Sequence, residues 1–274
     1  MACVPKPWRQ SRTKVSMDSD RLVLLTAEGC SGRIAANFLS RHFSALTVIV
    51  ERPVSRAELL RRRLRRLRRL GWLTVAGQLA FITFARAQDR LSRRRIAEIR
   101  RQAGLDDRLP AGVSIIHVAS VNAPECMAHL ATLNPAVVLV VGTRIIEATV
   151  LRAAGVPFIN YHAGVTPKYR GVHGGYWALA QGDVENCGVT VHLIDEGIDT
   201  GGVLYQARVA PAAADNFSTY PYLQMAAALP LMVQAARDAI AGKLQVRPVD
   251  LPSRLWSHPT IWSYLANGLR CGIW

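Results

Sequence analysis

The sequence predicts an α/β fold, a doubly wound, mostly parallel sheet of Rossmann-like type, and three observations carry that expectation. Short β-branched runs alternate with helix-spaced stretches from Leu22 onward. One run, AVVLVV at 136–141, is apolar without interruption, as a central parallel strand covered on both faces requires. Half of the residues are hydrophobic and mean hydropathy is +0.13, so the 274-residue chain can fill one large core or two small ones.

Taken in order, residues 1–20 are a basic leader expected to be disordered and contain no apolar run of signal-peptide length. LVLLTA at 22–27 reads as a strand, Gly29-Cys30-Ser31-Gly32 as a turn, 33–42 as a helix and 46–50 as a second strand closed by Glu51. The G-x-G-x-x-G pattern of nicotinamide-binding units is absent. Residues 51–104 read as an inserted Arg-rich helical module. Between Glu51 and Arg101 there are sixteen arginines against four acids, so +12 of the formal +15 lies in this segment. Leu60, Leu64, Leu67 and Leu70 share one helix face. Either that stripe packs the helix down and leaves the arginines solvated, or the arginines meet an anionic partner: a phosphorylated substrate, an acidic membrane surface or RNA.

Strand and helix patterns then resume. We expect strands at 113–118, 136–141, 157–161, 189–194 and 203–209, and helices at 126–133, 144–153, 175–181 and 222–240. Residues 242–274 form a tail without clear pattern, its Trp256, Trp262 and Trp274 expected to pack against the core or a neighbouring chain. The apolar stretches 70–85 and 216–236 are too short or too polar to span a bilayer. Five cysteines without a C-x-x-C pair suggest neither a disulfide framework nor a four-cysteine zinc site, and so a reducing, cytoplasmic setting.

The chemistry concentrates after residue 157. On a strand, residues two apart share a face, so Asn160 and His162 project together at a strand's carboxyl end, where open α/β sheets place their sites. A glycine-rich basic loop follows, Pro167-Lys168-Tyr169-Arg170-Gly171-Val172-His173-Gly174-Gly175, suited to covering a substrate. Then GVTVHLIDEGIDTGG runs from Gly188 to Gly202 and presents Asp195, Glu196 and Asp199 in a turn. An amide, an imidazole and a carboxylate from separate strand ends suit acyl transfer to an amine. Asn160 can donate to a developing oxyanion, His162 can relay a proton or place charge beside it, and Asp199 can fix the imidazole and take a proton through water. His162, His173 and His192 show no close metal-ligand spacing, which argues against a metal cofactor.

These elements resemble the enzymes that transfer a formyl group from 10-formyltetrahydrofolate to an amine: an Asn-x-His strand end, a Pro-x-Tyr-Arg-Gly loop, and a Gly-Val-Thr strand running into an Asp-containing turn. The likeness is strong over 136–206 and weaker over 22–50. It implies that Asn160, His162 and Asp199 are the catalytic trio. It also implies that the pterin binds along Gly142-Thr143-Arg144-Ile145-Ile146 and the turn from Asp195 through Gly197 to Asp199. Many relatives read Asn-x-His-x-Ser-Leu-Leu-Pro where this chain has Ala163-Gly164-Val165-Thr166-Pro167, so contacts of that serine and those leucines do not carry over.

By the same resemblance, 21–241 is the catalytic domain and the acceptor a small-molecule amine, phosphorylated and best matched by a nucleotide-linked amino sugar. Glycinamide ribonucleotide, methionyl-tRNA and hydrolysis to free formate are the alternatives, and a basic binding scaffold the non-enzymatic one. Only 33 residues follow Ala241, too few for the β-barrel that methionyl-tRNA formyltransferases add. A homodimer is compatible with the sequence.

Overall fold

A computed structural model describes residues 21–109 and 111–274; the basic leader expected over 1–20 lies outside the described residues. The chain runs β1 (Leu22–Ala27), α1 (Cys30–Ser40), β2 (Leu46–Glu51), α2 (Arg56–Leu70), α3 (Trp72–Leu91), α4 (Arg93–Gln102), β3 (Ser114–Val118), α5 (Pro124–Leu133), β4 (Val137–Val141) and α6 (Ala148–Ala154). It continues through β5 (Phe158–His162), β6 (Arg170–Gly171), α7 (Gly174–Ala180), β7 (Gly188–Leu193), β8 (Val203–Arg208), α8 (Tyr220–Ile240), β9 (Leu255–Trp256) and α9 (Ile261–Cys271).

Among the described residues the main sheet has seven strands in the order β3-β2-β1-β4-β5-β7-β8. The first five are parallel, and β7 alone is reversed, pairing antiparallel with both β5 and β8, which agrees with a mostly parallel sheet. Its two faces are legible in the period-two alternation. Leu22 and Leu24 of β1 with Val137, Leu139 and Val141 of β4 pack in one cluster with α1 and α8. Val23, Leu25, Val138 and Val140 face a second cluster with α5 and α6.

Four expectations need revision. The helix expected from 144 begins only at Ala148. Backbone groups of 144–147 are drawn to side chains elsewhere: Arg144 N–H donates to Glu51 at 3.2 Å, Glu147 N–H to Asn122 at 2.9 Å, and the Asn122 amide donates to the Ile145 carbonyl at 3.0 Å. A helix cannot form while its donors and acceptors are spent this way. The patternless tail is folded, with β9 paired to β6 and α9 opened by a Thr260–Ser263 capping box. Its Trp256 is buried and stacks on Trp177 and Tyr169, as expected of a tail tryptophan.

The loop expected to cover a substrate is a fixed wall. Tyr169 is buried, its hydroxyl donates to Asp183 at 2.7 Å, and Arg170 and Gly171 pair with β9. Finally, the Arg-rich insertion is helical as expected, in α2 to α4, but the leucine stripe of α2 does not bury: Leu59, Leu60, Leu64, Leu67 and Leu70 all remain exposed.

Candidate active site

β5 ends beside β7, and their register sets Asn160 opposite His192 and His162 opposite Thr190. Antiparallel neighbours of this kind bring four side chains together at the carboxyl edge of β4 and β5. Asn160 Nδ2 donates to His192 Nε2 at 3.3 Å, and His192 Nδ1 donates to the Leu193 carbonyl at 2.7 Å. His162 Nε2 donates to the Tyr169 carbonyl at 2.6 Å, and its Nδ1 faces Asp199 Oδ2 at 3.4 Å. Asp199 Oδ1 lies 3.6 Å from His192 Nε2, so the carboxylate stands between both imidazoles.

Each support is traceable to sequence. Thr190, the threonine of Gly-Val-Thr, is fully buried. Its hydroxyl donates to the Gly164 carbonyl and accepts the Thr166 N–H, each at 2.9 Å, and so fixes the chain leaving β5. Gly164 admits no side chain, because a β-carbon would press on the Tyr169 carbonyl and His162 Nε2 at 2.5 and 2.8 Å. Asp199 sits at φ 50°, a left-handed conformation uncommon outside glycine, and its Oδ2 accepts the Gly171 N–H at 2.9 Å.

Electrostatics follow from burial and these contacts. Burial pushes the His162 imidazole below its ordinary value, against the pull of the Asp199 charge and the Tyr169 carbonyl. Burial alone would raise the Asp199 carboxyl. The His192 contact, the charge of His162 and the Gly171 N–H outweigh it and hold the carboxyl below the usual range.

These residues open on a cavity of about 360 Å³ that also takes in Gly142, Arg144, Ile145 and Ile146 on one side and Asp195 and Gly197 on the other. Every residue singled out from the sequence for catalysis or pterin contact therefore lines one space. Glu196, by contrast, is solvent-exposed and paired with Arg152. The sequence reading missed two contributors. His192 lies within the quoted Gly188–Gly202 segment, and period-two spacing from Thr190 could have placed it at the site. Glu51, the residue that closes β2, is almost fully buried; its carboxylate accepts the Val121 and Arg144 N–H groups and is ion-paired to the Arg144 guanidinium. It is the latch that holds the 142–146 wall.

Residues 95–224 match the formyl transferase family model. A methionyl-tRNA formyltransferase of Kosmotoga olearia is 29% identical over 140 residues, covering 51% of this chain and 45% of that protein. Another, of Sorangium cellulosum, is 33% identical over 144 residues, or 52% and 46%. The chain thus spans less than half the length of these relatives. Among solved structures, a sugar N-formyltransferase of a Shewanella species superimposes with a TM-score of 0.51 at 16% identity, over 90% of this chain and 79% of that one. A glycinamide ribonucleotide transformylase of Symbiobacterium toebii gives 0.53 at 18% identity, over 87% and 96%. The structural likeness is one of fold. The sequence match is to the formyl transferase family model and spans 95–224, just under half of the chain.

Proposed function

We propose that the chain transfers a formyl group from 10-formyltetrahydrofolate to a primary amine, the acceptor being a nucleotide-linked amino sugar. The observation that carries this reading is the convergence of Asn160, His162, His192 and Asp199 on one cavity walled by 142–146 and 195–199. The cavity fits a pterin. Its volume falls in the range of small-ligand pockets, and both walls are irregular backbone rather than helix or strand. Arg144 and Ile145 with Gly142 on one side, and Asp195 with Gly197 on the other, would hold the ring.

The donor supplies an activated formyl carbon; the protein supplies position and charge. Asn160 is the amide placed to donate to the oxygen that gains negative charge as the amine adds. Asp199, charged at neutral pH, takes up the amine proton directly or through water. His162, fixed on the Tyr169 carbonyl, orients Asp199 and provides a place for that proton beside the oxyanion, from which it passes through water to the donor nitrogen as that nitrogen's bond to the formyl carbon breaks. A second cavity of about 520 Å³ supports a phosphorylated acceptor: Ser31 and Arg93 offer anion contacts beside Asp89, Phe217 and Tyr222 offer rings, and its His173 follows the wall residues Gly171 and Val172 directly in sequence.

The deciding assay supplies 10-formyltetrahydrofolate with a nucleotide-linked amino sugar, glycinamide ribonucleotide and charged initiator tRNA in parallel. Formylation of the sugar alone supports the reading. Product with either other acceptor, or free formate regardless of acceptor, replaces it. Asn160→Ala, His162→Ala and Asp199→Ala should each cut turnover about a hundredfold or more without unfolding the protein, and the losses should not add. Near wild-type turnover by His162→Ala would remove the mechanism.

A further inference from the structure

The helical insertion carries chemistry that formyl transfer does not use. α2 holds eight arginines against one acid, Glu58. Among its described side chains, Arg61, Arg65, Arg68 and Arg69 are exposed. So are its leucines: Leu60 is 57% and Leu64 48% accessible. The helix turns at Gly71, whose φ of 78° suits glycine, directly into two exposed apolar residues at the start of α3, Trp72 at 70% and Leu73 at 57%. The outward face of α3 continues through Ala76, Leu79, Ala80 and Thr83, at helical spacing, and residues 71–85 contain no charge at all. Half-exposed Trp262 of α9 adjoins this face at Gly77.

A solvated helix face over three turns ordinarily carries charges. This one carries none, and it lies next to a helix dense in arginine. We propose that the α2–α3 hairpin is a membrane-surface element: it lies on an anionic bilayer with Leu60, Leu64, Trp72, Leu73 and Leu79 at the acyl boundary and the arginines of α2 among the lipid phosphates. Two other occupants satisfy only half of the surface. RNA would neutralise the arginines and leave the tryptophan and leucines in water. A second copy of the hairpin would cover the apolar face and bring arginine against arginine. An anionic lipid interface takes both groups at once, because guanidinium–phosphate attraction and apolar insertion act along the same normal. No helix among the described residues is long and apolar enough to cross a membrane, which leaves lying on the surface as the mode available to this hairpin.

The test uses the full chain in vesicle flotation. Vesicles of phosphatidylglycerol mixed with phosphatidylcholine should carry the protein up the gradient, and phosphatidylcholine alone should not. Trp72→Ser with Leu73→Ser should weaken vesicle binding about tenfold or more. Arg61→Gln, Arg65→Gln, Arg68→Gln and Arg69→Gln together should weaken it by on the order of a hundredfold. These positions are exposed, so circular dichroism of the variants should match wild type. Independently of any variant, lipids brominated near the headgroup end of the acyl chain should quench tryptophan emission of the wild-type protein. Failure to float, absence of quenching, or equal binding by the Trp72/Leu73 variant would overturn the proposal. Binding of a tRNA probe that is lost in the arginine variant but kept in the Trp72/Leu73 variant, without vesicle binding, would reassign the hairpin to nucleic acid.

Discussion

His192 is the residue whose role is easiest to separate from the rest of the cluster. It is not required to hold the sheet, yet it accepts from Asn160 and faces Asp199. His192→Gln should keep the fold and lower kcat about tenfold with a smaller change in KM, because in the proposed mechanism the oxyanion donor is Asn160 and His192 only sets its aim. Stopped-time assays across substrate concentration read that split. A second histidine reports on stability. His173 is half-buried beside His258 and against Phe217; desolvation first, and His258 second, push its imidazole from 6.5 to about 3. Its pKa is depressed in the folded state, so below pH 6.5 the unfolded chain takes a proton that the folded chain refuses. His162 acts in the same sense, and Asp199 extends the effect as pH falls through 3.8 and below. The urea midpoint should therefore decline from about pH 6.5 toward pH 3. In His173→Asn, chosen because asparagine tolerates the φ of 58° at this position, the decline should be shallower. An equal slope in the variant would assign the acid lability elsewhere.

The elements around the site are held by contacts between distant segments, and these decide how much the sequence could reveal. The strand ends bearing Asn160, His162 and Asp199 were legible, because period-two spacing and a glycine-bounded turn are local signals. Segment 144–147 was not, since its helical pattern is overridden by Glu51 on β2 and by Asn122, residues some 20 to 95 positions away. β6 and β9, two residues each and 85 apart, carry no pattern at all. Their importance can still be measured. At Gly171 the φ is 97° and a β-carbon would run into the Trp256 carbonyl, so Gly171→Ala must part β6 from β9 and move the N–H that Asp199 accepts. It should cost about 2 kcal/mol or more and depress turnover as well. Glu51→Gln should leave the strand in place but loosen Arg144, weakening 5-formyltetrahydrofolate binding by about tenfold in calorimetry. Unchanged affinity would mean that the 142–146 wall does not contact the folate.

At the scale of the whole molecule, the insertion and the carboxyl-terminal segment form one structure. Phe81 of α3 packs on Phe217 and on Tyr264 of α9, Gln88 and Tyr264 are hydrogen-bonded, and Trp262 closes over Gly77. Any side chain at position 77 would overlap the indole. Gly77→Val should lower stability by about 1–3 kcal/mol, and adding Trp262→Ala should recover part of the loss. Thermal melts of the two single variants and the double variant test the coupling.

That same packing joins parts of the chain made at different times. About 170 residues separate the end of α3 from the start of α9. At roughly 5–20 residues per second, α3 waits on the order of ten seconds or more on the ribosome before its partner is synthesised. Through that interval Phe81 and Phe84 have no α9 to cover them, and an arginine-dense helix stands beside them near ribosomal RNA. The nascent chain should thus depend on a chaperone that shields aromatic helix faces, and its yield should rise when such a holdase is co-expressed.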